Sequence, residues 1–238
     1  MMRIVSTILI LGSLFHINAR ATENPIFHWK FDEGTGINIK DSGKNKNNGI
    51  LETTSQSDQV NSKIWVDGMS GKAIYLNGTS YIQLNEPIGS FKEITIMVWI
   101  KTDKRKIRGT IFGNKADTLH TGFRFEYLPW WGRLSFQYGD KFATKGIMTE
   151  VNAVRPNFWS HIAVTYNGKT IKFYLNGCKI FEKQSSGEIA AFSKRPCIGM
   201  YYNGKTYGFI GIIDDLRIYE RSLTNKEIME VLVSCKKK

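Results

Sequence analysis

The amino-acid sequence predicts an all-β protein, a two-sheet antiparallel sandwich or a barrel with one short helix at its C-terminal end. Three observations carry this. From Ile26 onward, apolar and polar residues alternate with a period of two, as in strands buried on one face. The runs are separated by Gly with Asn or Asp, residues that supply the turn conformations of hairpins. One stretch, TNKEIMEVLVS, carries a helix start followed by helical apolar spacing.

In chain order, Ile94, Ile96, Val98 and Ile100 alternate with Thr95, Met97, Trp99 and Lys101 and predict a strand. Phe123, Phe125 and Tyr127 alternate with Arg124 and Glu126, and Leu134, Phe136 and Tyr138 continue the habit. HIAVTYNGKTIKFYLNGCKIFE divides into strand-like runs at Asn167-Gly168 and Asn176-Gly177, the dipeptide that favours a type I′ turn. A meander of strands is expected there. GIIDDLRIY, Gly211 to Tyr219, reads as a closing strand. Strict alternation gives Asp214 the parity of Leu216 and Ile218, and Asp215 that of Arg217 and Tyr219, so the two carboxylates should point opposite ways. In the helix, Thr224 and Glu227 form a capping box, and Ile228, Val231 and Leu232 supply the apolar face. No repeat, low-complexity tract or proline-rich linker divides residues 22–238, which read as one domain.

The chain has 238 residues, 42% hydrophobic and 13% aromatic, enough to bury a sizeable core. Residues 1–21, MMRIVSTILILGSLFHINARA, have the parts of a secretory signal: Arg3, an apolar run from Ile4 to Ile17, and small residues at Ala19 and Ala21. The run falls short of the roughly 20 residues of a spanning helix, so cleavage after Ala21 with no transmembrane anchor is expected. Cleavage removes Arg3 and Arg20 and leaves 31 basic against 21 acidic residues, a charge of +10. The basic residues are scattered, with no basic helix or aromatic-interleaved run, which argues against a nucleic-acid partner. A basic exterior suits acidic glycans or an anionic cell envelope, and equally a merely soluble surface. Cys178, Cys197 and Cys235 in an exported chain predict one disulfide and one thiol. Cys178 with Cys197 is the expected pair, because both fall in strand-like segments. Three cysteines so far apart make a poor zinc site.

Five phrases stand in an order that resembles the laminin-G-like jelly-roll domain of the concanavalin A-like lectin/glucanase superfamily. They are FHWKFDEGTGINIKDSGKNKNNGIL (Phe27 to Leu51), GKAIYLNGTSYIQL (Gly71 to Leu84), ITIMVWIKTD (Ile94 to Asp103), FWSHIAVTYNGKTIKFYLNG (Phe158 to Gly177) and GIIDDLRIYERSLTNKEI (Gly211 to Ile228). The resemblance implies two packed antiparallel sheets, one of them concave. In that family and its glucanase relatives, the Asp-x-x-Arg-x-Tyr pattern of the last strand carries an aspartate that binds a structural calcium. Carbonyls from near the first strand and from a glycine opening a later strand complete the set. By position these are Asp214, a contributor near Asp32, and Gly71, so the resemblance implies a calcium cofactor. Read from the residues alone, Asp214 or Asp215 could instead pair with Arg217 or cap backbone amides. Asp215 reads as a surface partner of Arg217. DSGKNKNNGILE, Asp41 to Glu52, scans superficially like a calcium loop, yet Lys46 stands at the sixth position where the EF-hand needs Gly. It reads as a polar surface loop.

Fold does not decide function in such a superfamily, so the residues must. A glycosidase needs two carboxylates roughly 5 to 9 Å apart. The glucanase branch supplies them from a Glu-x-Asp-x-x-Glu or Glu-x-Asp-x-Glu strand, which this sequence lacks; Glu126 stands alone in FRFEYLPWW. Nucleophile-elbow, metalloprotease and phosphate-loop motifs are also absent. His161, in WSHIAVTY, reads as a packed residue. Sugar rings offer apolar C–H faces that sit on exposed aromatic rings. YLPWWGR puts Trp130 and Trp131 in a Pro/Gly-bounded loop, and MYYNGKTY adds Tyr201 and Tyr202; the same rings could instead cover the edge of the sandwich. Trp99, Trp159, Trp29 and Trp65 read as packing residues. Asn77-Gly78-Thr79 is a glycosylation sequon if the source is eukaryotic. The expectation is a secreted module, extracellular or periplasmic, non-catalytic, binding carbohydrate or a glycosylated surface and holding a structural calcium. The alternatives are a glycan-active hydrolase or lyase, and a structural or adhesion module without a small ligand.

Overall fold

Residues 24–55, 64–102, 108–115, 119–201 and 206–235 are described by the structure, a computed structural model. The signal-like segment 1–21 lies outside them. The strands are β1 (Phe27–Trp29), β2 (Asn38–Ile39), β3 (Gly49–Thr53), β4 (Trp65–Asp67), β5 (Lys72–Asn77), β6 (Ser80–Leu84), β7 (Ile94–Thr102) and β8 (Gly109–Gly113). They continue with β9 (Phe123–Leu128), β10 (Arg133–Gly139), β11 (Thr144–Met148), β12 (Ser160–Tyr166), β13 (Thr170–Leu175), β14 (Cys178–Gln184), β15 (Cys197–Ile198) and β16 (Ile210–Tyr219). Helix α1 (Asn225–Cys235) follows. One antiparallel sheet has the order β14-β13-β12-β7-β16-β5-β4, with β1 also paired to β16; the other has the order β11-β10-β9-β8-β15-β6-β3-β2.

Alternation decides which side chains meet between the sheets. Ile94, Ile96, Val98 and Ile100 of β7 enter the shared core, as do Phe123, Phe125, Leu134, Phe136 and Tyr138 of β9 and β10. Burying each such side chain contributes about 2 kcal/mol. The opposite face of the first sheet is covered by α1. There Met97, Ala163, Tyr174 and Tyr219 pack against Leu223, Ile228, Val231 and Cys235. The capping box forms as its spacing predicts: Thr224 N donates to Glu227 Oε2 at 2.8 Å, and Glu227 N to Thr224 Oγ1 at 3.3 Å.

The meander is β12–β13–β14. Its second turn is of type I′, with positive φ at both Asn176 (49°) and Gly177 (82°). The first is not. Only Gly168 has positive φ, and the Asn167 side chain instead accepts from Lys169 N and Thr170 N.

A larger departure lies in β16. Asp214 pairs with Trp99 and Arg217 with Met97, so three steps of β16 oppose two of β7. This is a β-bulge, and Asp215 takes φ 52° within it. The bulge shifts the alternation: Ile213, Leu216 and Ile218 all enter the core, and both Asp214 and Asp215 are left on the outer side. They line one cleft together, which corrects the expectation that they face opposite ways.

Candidate functional site

The cleft beside the bulge has a volume of about 110 Å³ and is bounded by Lys30, Asp32, Ser70, Asp214, Asp215 and Arg217, with the end of α1. Asp214 is fully buried. Its Oδ2 accepts from Met69 N (2.7 Å) and Ser70 N (3.2 Å) in the turn between β4 and β5, while its Oδ1 has no hydrogen-bond partner. Burial pushes the Asp214 carboxyl up to about 7, against those two amides, and the neighbouring Asp215 and Asp32 charges push the same way. The turn needs Gly71. Its φ is 74°, and a Cβ there would collide with Asp32 Oδ1, the atom that accepts from Lys72 N at 3.0 Å. Asp214 and Asp32 thus line one cleft, with Gly71 against Asp32. Among the described residues no three His, Cys, Asp or Glu side chains cluster as a metal site by themselves, so a cation here would depend on backbone carbonyls. An orphaned buried carboxylate oxygen beside a second carboxylate and an exposed turn suits a hard, oxygen-seeking ion.

Asp215 makes a separate network. It accepts from Arg217 Nε (3.1 Å) and from Cys235 Sγ (2.8 Å) and sits 2.5 Å from His28 Nε2. The pairing with Arg217 is as expected, but the pair is buried rather than on the surface. Burial alone would raise the Asp215 carboxyl; the His28 hydrogen bond and the Arg217 charge outweigh it and hold it well below the usual range. Burial first, and then the Asp215 charge, push the Cys235 thiol up to about 12. The Arg217 guanidinium occupies the place of positive charge in this group, so His28, Asp215 and Cys235 act as a clamp on the end of α1.

All three cysteines are thiols, and the expected Cys178–Cys197 disulfide is not formed. Cys178 begins the exposed edge strand β14 of the first sheet. Cys197 is buried on β15 of the second sheet, against Gln83. Strand-like surroundings do not put two residues in the same sheet.

Asp41 organises the Asp41–Glu52 loop through backbone hydrogen bonds. Its Oδ1 accepts from His28 N and Gly43 N, each at 2.7 Å, and its Oδ2 from Asn47 N at 2.8 Å.

Among the described residues the second sheet carries no helix, and its outer face has in-register rows. One runs Ile50–Gln83–Cys197–Gly113–Arg124–Gln137–Gly146, from β3 to β11. In the next row, Thr110, Glu126 and Ser135 are neighbours. Glu126, fully buried, accepts from Arg108 Nε (3.0 Å) and Nη2 (2.7 Å), with Arg124 Nε at 3.3 Å. Arg108 lies 4.5 Å over the Tyr207 ring and Arg124 5.5 Å over that of Tyr201. Glu52, the carboxylate at the far end of this row, lies on β3. The strands β6, β15 and β8 intervene, a separation of roughly 19 Å at about 4.8 Å per strand, which is too wide for a glycosidase pair.

Trp130 and Trp131 form the turn between β9 and β10, 48% and 51% exposed, with ring centroids 6.1 Å apart. The turn is anchored: Trp131 N donates to Leu128 O, Asn152 N to Trp131 O, and Val154 N to Gly132 O. Tyr201 is only 6% exposed and packs edge-on to Tyr207, so its ring is spent beneath Arg124. Tyr202 lies outside the described residues. Trp29, Trp65 and Trp99 are buried and Trp159 is half-buried. His161 packs edge-on to Trp99.

The fold and these sites define a jelly-roll sandwich with two exposed indoles at one rim and a buried ion network on the outer side of one sheet. The chain belongs to the concanavalin A-like lectin/glucanases superfamily, whose family profile matches residues 76–229. It is 25% identical over 190 residues to Paraclostridial mosquitocidal protein 1 of Paraclostridium bifermentans, a match that covers 68% of this chain and 14% of that protein. The chain therefore spans a small fraction of the length of this curated relative. Among solved structures it is similar to domain 4 of AbnA, a GH43 extracellular arabinanase from Geobacillus stearothermophilus, in complex with arabinotriose. That likeness has a TM-score of 0.67 at 22% identity and covers 88% of this chain and 100% of the other. The binding domain of Paraclostridial mosquitocidal protein 1 gives 0.67 at 24% identity, over 90% of this chain and 53% of the other. The binding domain of botulinum neurotoxin serotype G gives 0.66 at 17%, over 89% and 51%. At these identities the likeness establishes a shared fold.

Proposed function

We propose that this chain is a secreted, non-catalytic module that binds carbohydrate or a glycosylated surface through Trp130 and Trp131. The observation that carries the reading is the pair of adjacent indoles, half exposed on a turn held by backbone hydrogen bonds. Large apolar rings fixed outward in this way offer a stacking surface to the C–H face of a sugar, and stacking needs little reorganisation of a fixed ring. Support comes from the company the fold keeps: an arabinanase domain solved with arabinotriose and toxin domains named for binding. The signal-like residues 1–21 support export. The carboxylates of Asp214 and Asp32 and the Gly71 carbonyl would hold calcium, which when bound supplies the positive charge that the buried Asp214 lacks. In that arrangement Met69 and Ser70 amides orient Asp214, and Lys72 N orients Asp32. The test is a glycan array probed with the full chain and with Trp130→Ala and Trp131→Ala. Weakened binding by either variant is expected; array binding equal to the parent in both would refute the reading.

A further inference from the structure

From the outer face of the second sheet we infer that the sugar taken by this module is anionic, bearing a carboxylate or sulfate, and that Arg133 is its principal contact beside Trp131. The inference rests on the glycan-binding reading above and deepens it. Arg133, Ser135 and Gln137 of β10 alternate with core residues, so all three lie on the outer side in line with the tryptophan turn; Ser135 is fully buried there, which leaves Arg133 and Gln137 as the partly exposed pair. Successive outward residues are about 7 Å apart, which places Arg133 next to the platform and Gln137 about 14 Å along it.

The hydrogen-bonding character of this strip is one-sided. Arg133 lies 5.6 Å over the Trp131 ring, and its Nε has no hydrogen-bond partner. Gln137 accepts from Arg124 Nη2 at 2.8 Å through Oε1, which leaves its amide NH2 as the outward group, a donor. The carboxylate between them, Glu126, is closed off by Arg108 and Arg124. Arg133 adds a further guanidinium beside this network. The strip therefore presents donors and has its one acidic acceptor already engaged.

A neutral sugar brings hydroxyls that both donate and accept, and a donor-only strip would leave their donors unmet. A carboxylate or sulfate is acceptor-only, and a planar guanidinium fits it with paired hydrogen bonds. The net charge, +12 for the whole sequence and +10 without residues 1–21, favours approach of the same ligand.

The test is titration of the full chain with a sulfated heparin hexasaccharide, an oligogalacturonate, neutral arabinotriose and poly-glutamate. Expected are binding of at least one anionic sugar about tenfold tighter than arabinotriose, and weakening with added salt. Arg133→Gln should remove about tenfold of that preference, and Arg133→Lys should restore part of it. Which anionic sugar binds distinguishes sulfate from carboxylate. Equal, Trp131-dependent binding of neutral and anionic sugars, unchanged in Arg133→Gln, would overturn this inference and leave the glycan reading standing. Absence of binding to every sugar would overturn both. Poly-glutamate binding as tight as the anionic sugar would overturn it too, since the strip would then be a general anion surface.

Discussion

Replacing Asp41 by alanine should destabilise the protein by about 4 kcal/mol. The buried carboxylate accepts backbone hydrogen bonds from His28, Gly43 and Asn47 and so ties the Asp41–Glu52 loop to β1. Bonds to a charged acceptor contribute about 1.5–3 kcal/mol each. Water entering beside the exposed Lys44, Asn45 and Lys46 would recover part of the total. At about 2–4 °C per kcal/mol for a domain of this size, the melting temperature should fall by about 8–16 °C. Asp41→Asn should cost about half as much. Its amide oxygen can keep the two bonds on the Oδ1 side, but its NH2 then faces Asn47 N–H. Thermal unfolding, with and without calcium, is the assay. A loss below about 1 kcal/mol would refute the reasoning, and so would a loss that appears only when calcium is present, because Asp41 would then be a cation ligand.

Calcium at a hundred times its dissociation constant should stabilise the parent by about 2.7 kcal/mol, and Asp214→Asn should abolish that rise; a melting temperature indifferent to chelator would sink the calcium proposal. The hydrogen bond from Lys145 holds the Asp140 carboxyl down at about 2, below its model-compound 3.8. Its stabilisation is present above the unfolded value and is lost as pH falls through the folded one. Asp140→Ala should therefore cost about 1 kcal/mol at neutral pH, after allowance for solvent screening, and almost nothing near pH 2; urea titrations showing a pH-independent loss would remove the ionic explanation. Exposed Cys178 should react with a maleimide in the native protein, whereas Cys235, buried with its thiol pushed up to about 12, should not. Labelling that persists in Cys178→Ser would contradict this.

What could be read from the sequence is what is encoded locally. The strand at Ile94–Thr102, the meander and the capped helix follow from side-chain period and turn residues within a few positions of each other. The orientation of Asp214 and Asp215 was hidden by a bulge that exists only in the pairing of β16 with β7. A trace of it was present: Ile213, Leu216 and Ile218 all belong in a core, and their spacing of three and then two breaks strict alternation. The clamp on α1 was not legible, because His28 stands 187 positions from Asp215 and Cys235 stands 20. Glu126 looked solitary for the same reason: Arg108 reaches it from 18 positions away. The disulfide expectation failed where sheet membership was needed, and Tyr201 looked exposed because a loop residue gives no sign of the guanidinium that will cover it.

The two sheets spend their outer faces differently, and the difference bears on where a partner can dock. Alpha-helical cover takes up Met97, Ala163, Tyr174 and Tyr219 of the first sheet, an apolar solution that stabilises the fold and leaves that patch inaccessible. The second sheet holds Arg108, Glu126 and Arg124 at corresponding depth. Stability does not account for that choice, since a buried ion network costs several kcal/mol per ion in desolvation, and well-packed apolar replacements are often neutral or better. What such a network supplies is fixed direction. Glu126 holds Arg108 by two parallel bonds, Arg124 turns the Gln137 amide, and both guanidiniums rest on tyrosine rings. Donors held in place before a ligand arrives lose little entropy when it binds, and this is the physical basis of the proposal that the strip from Trp131 to Gln137 recognises an anionic sugar.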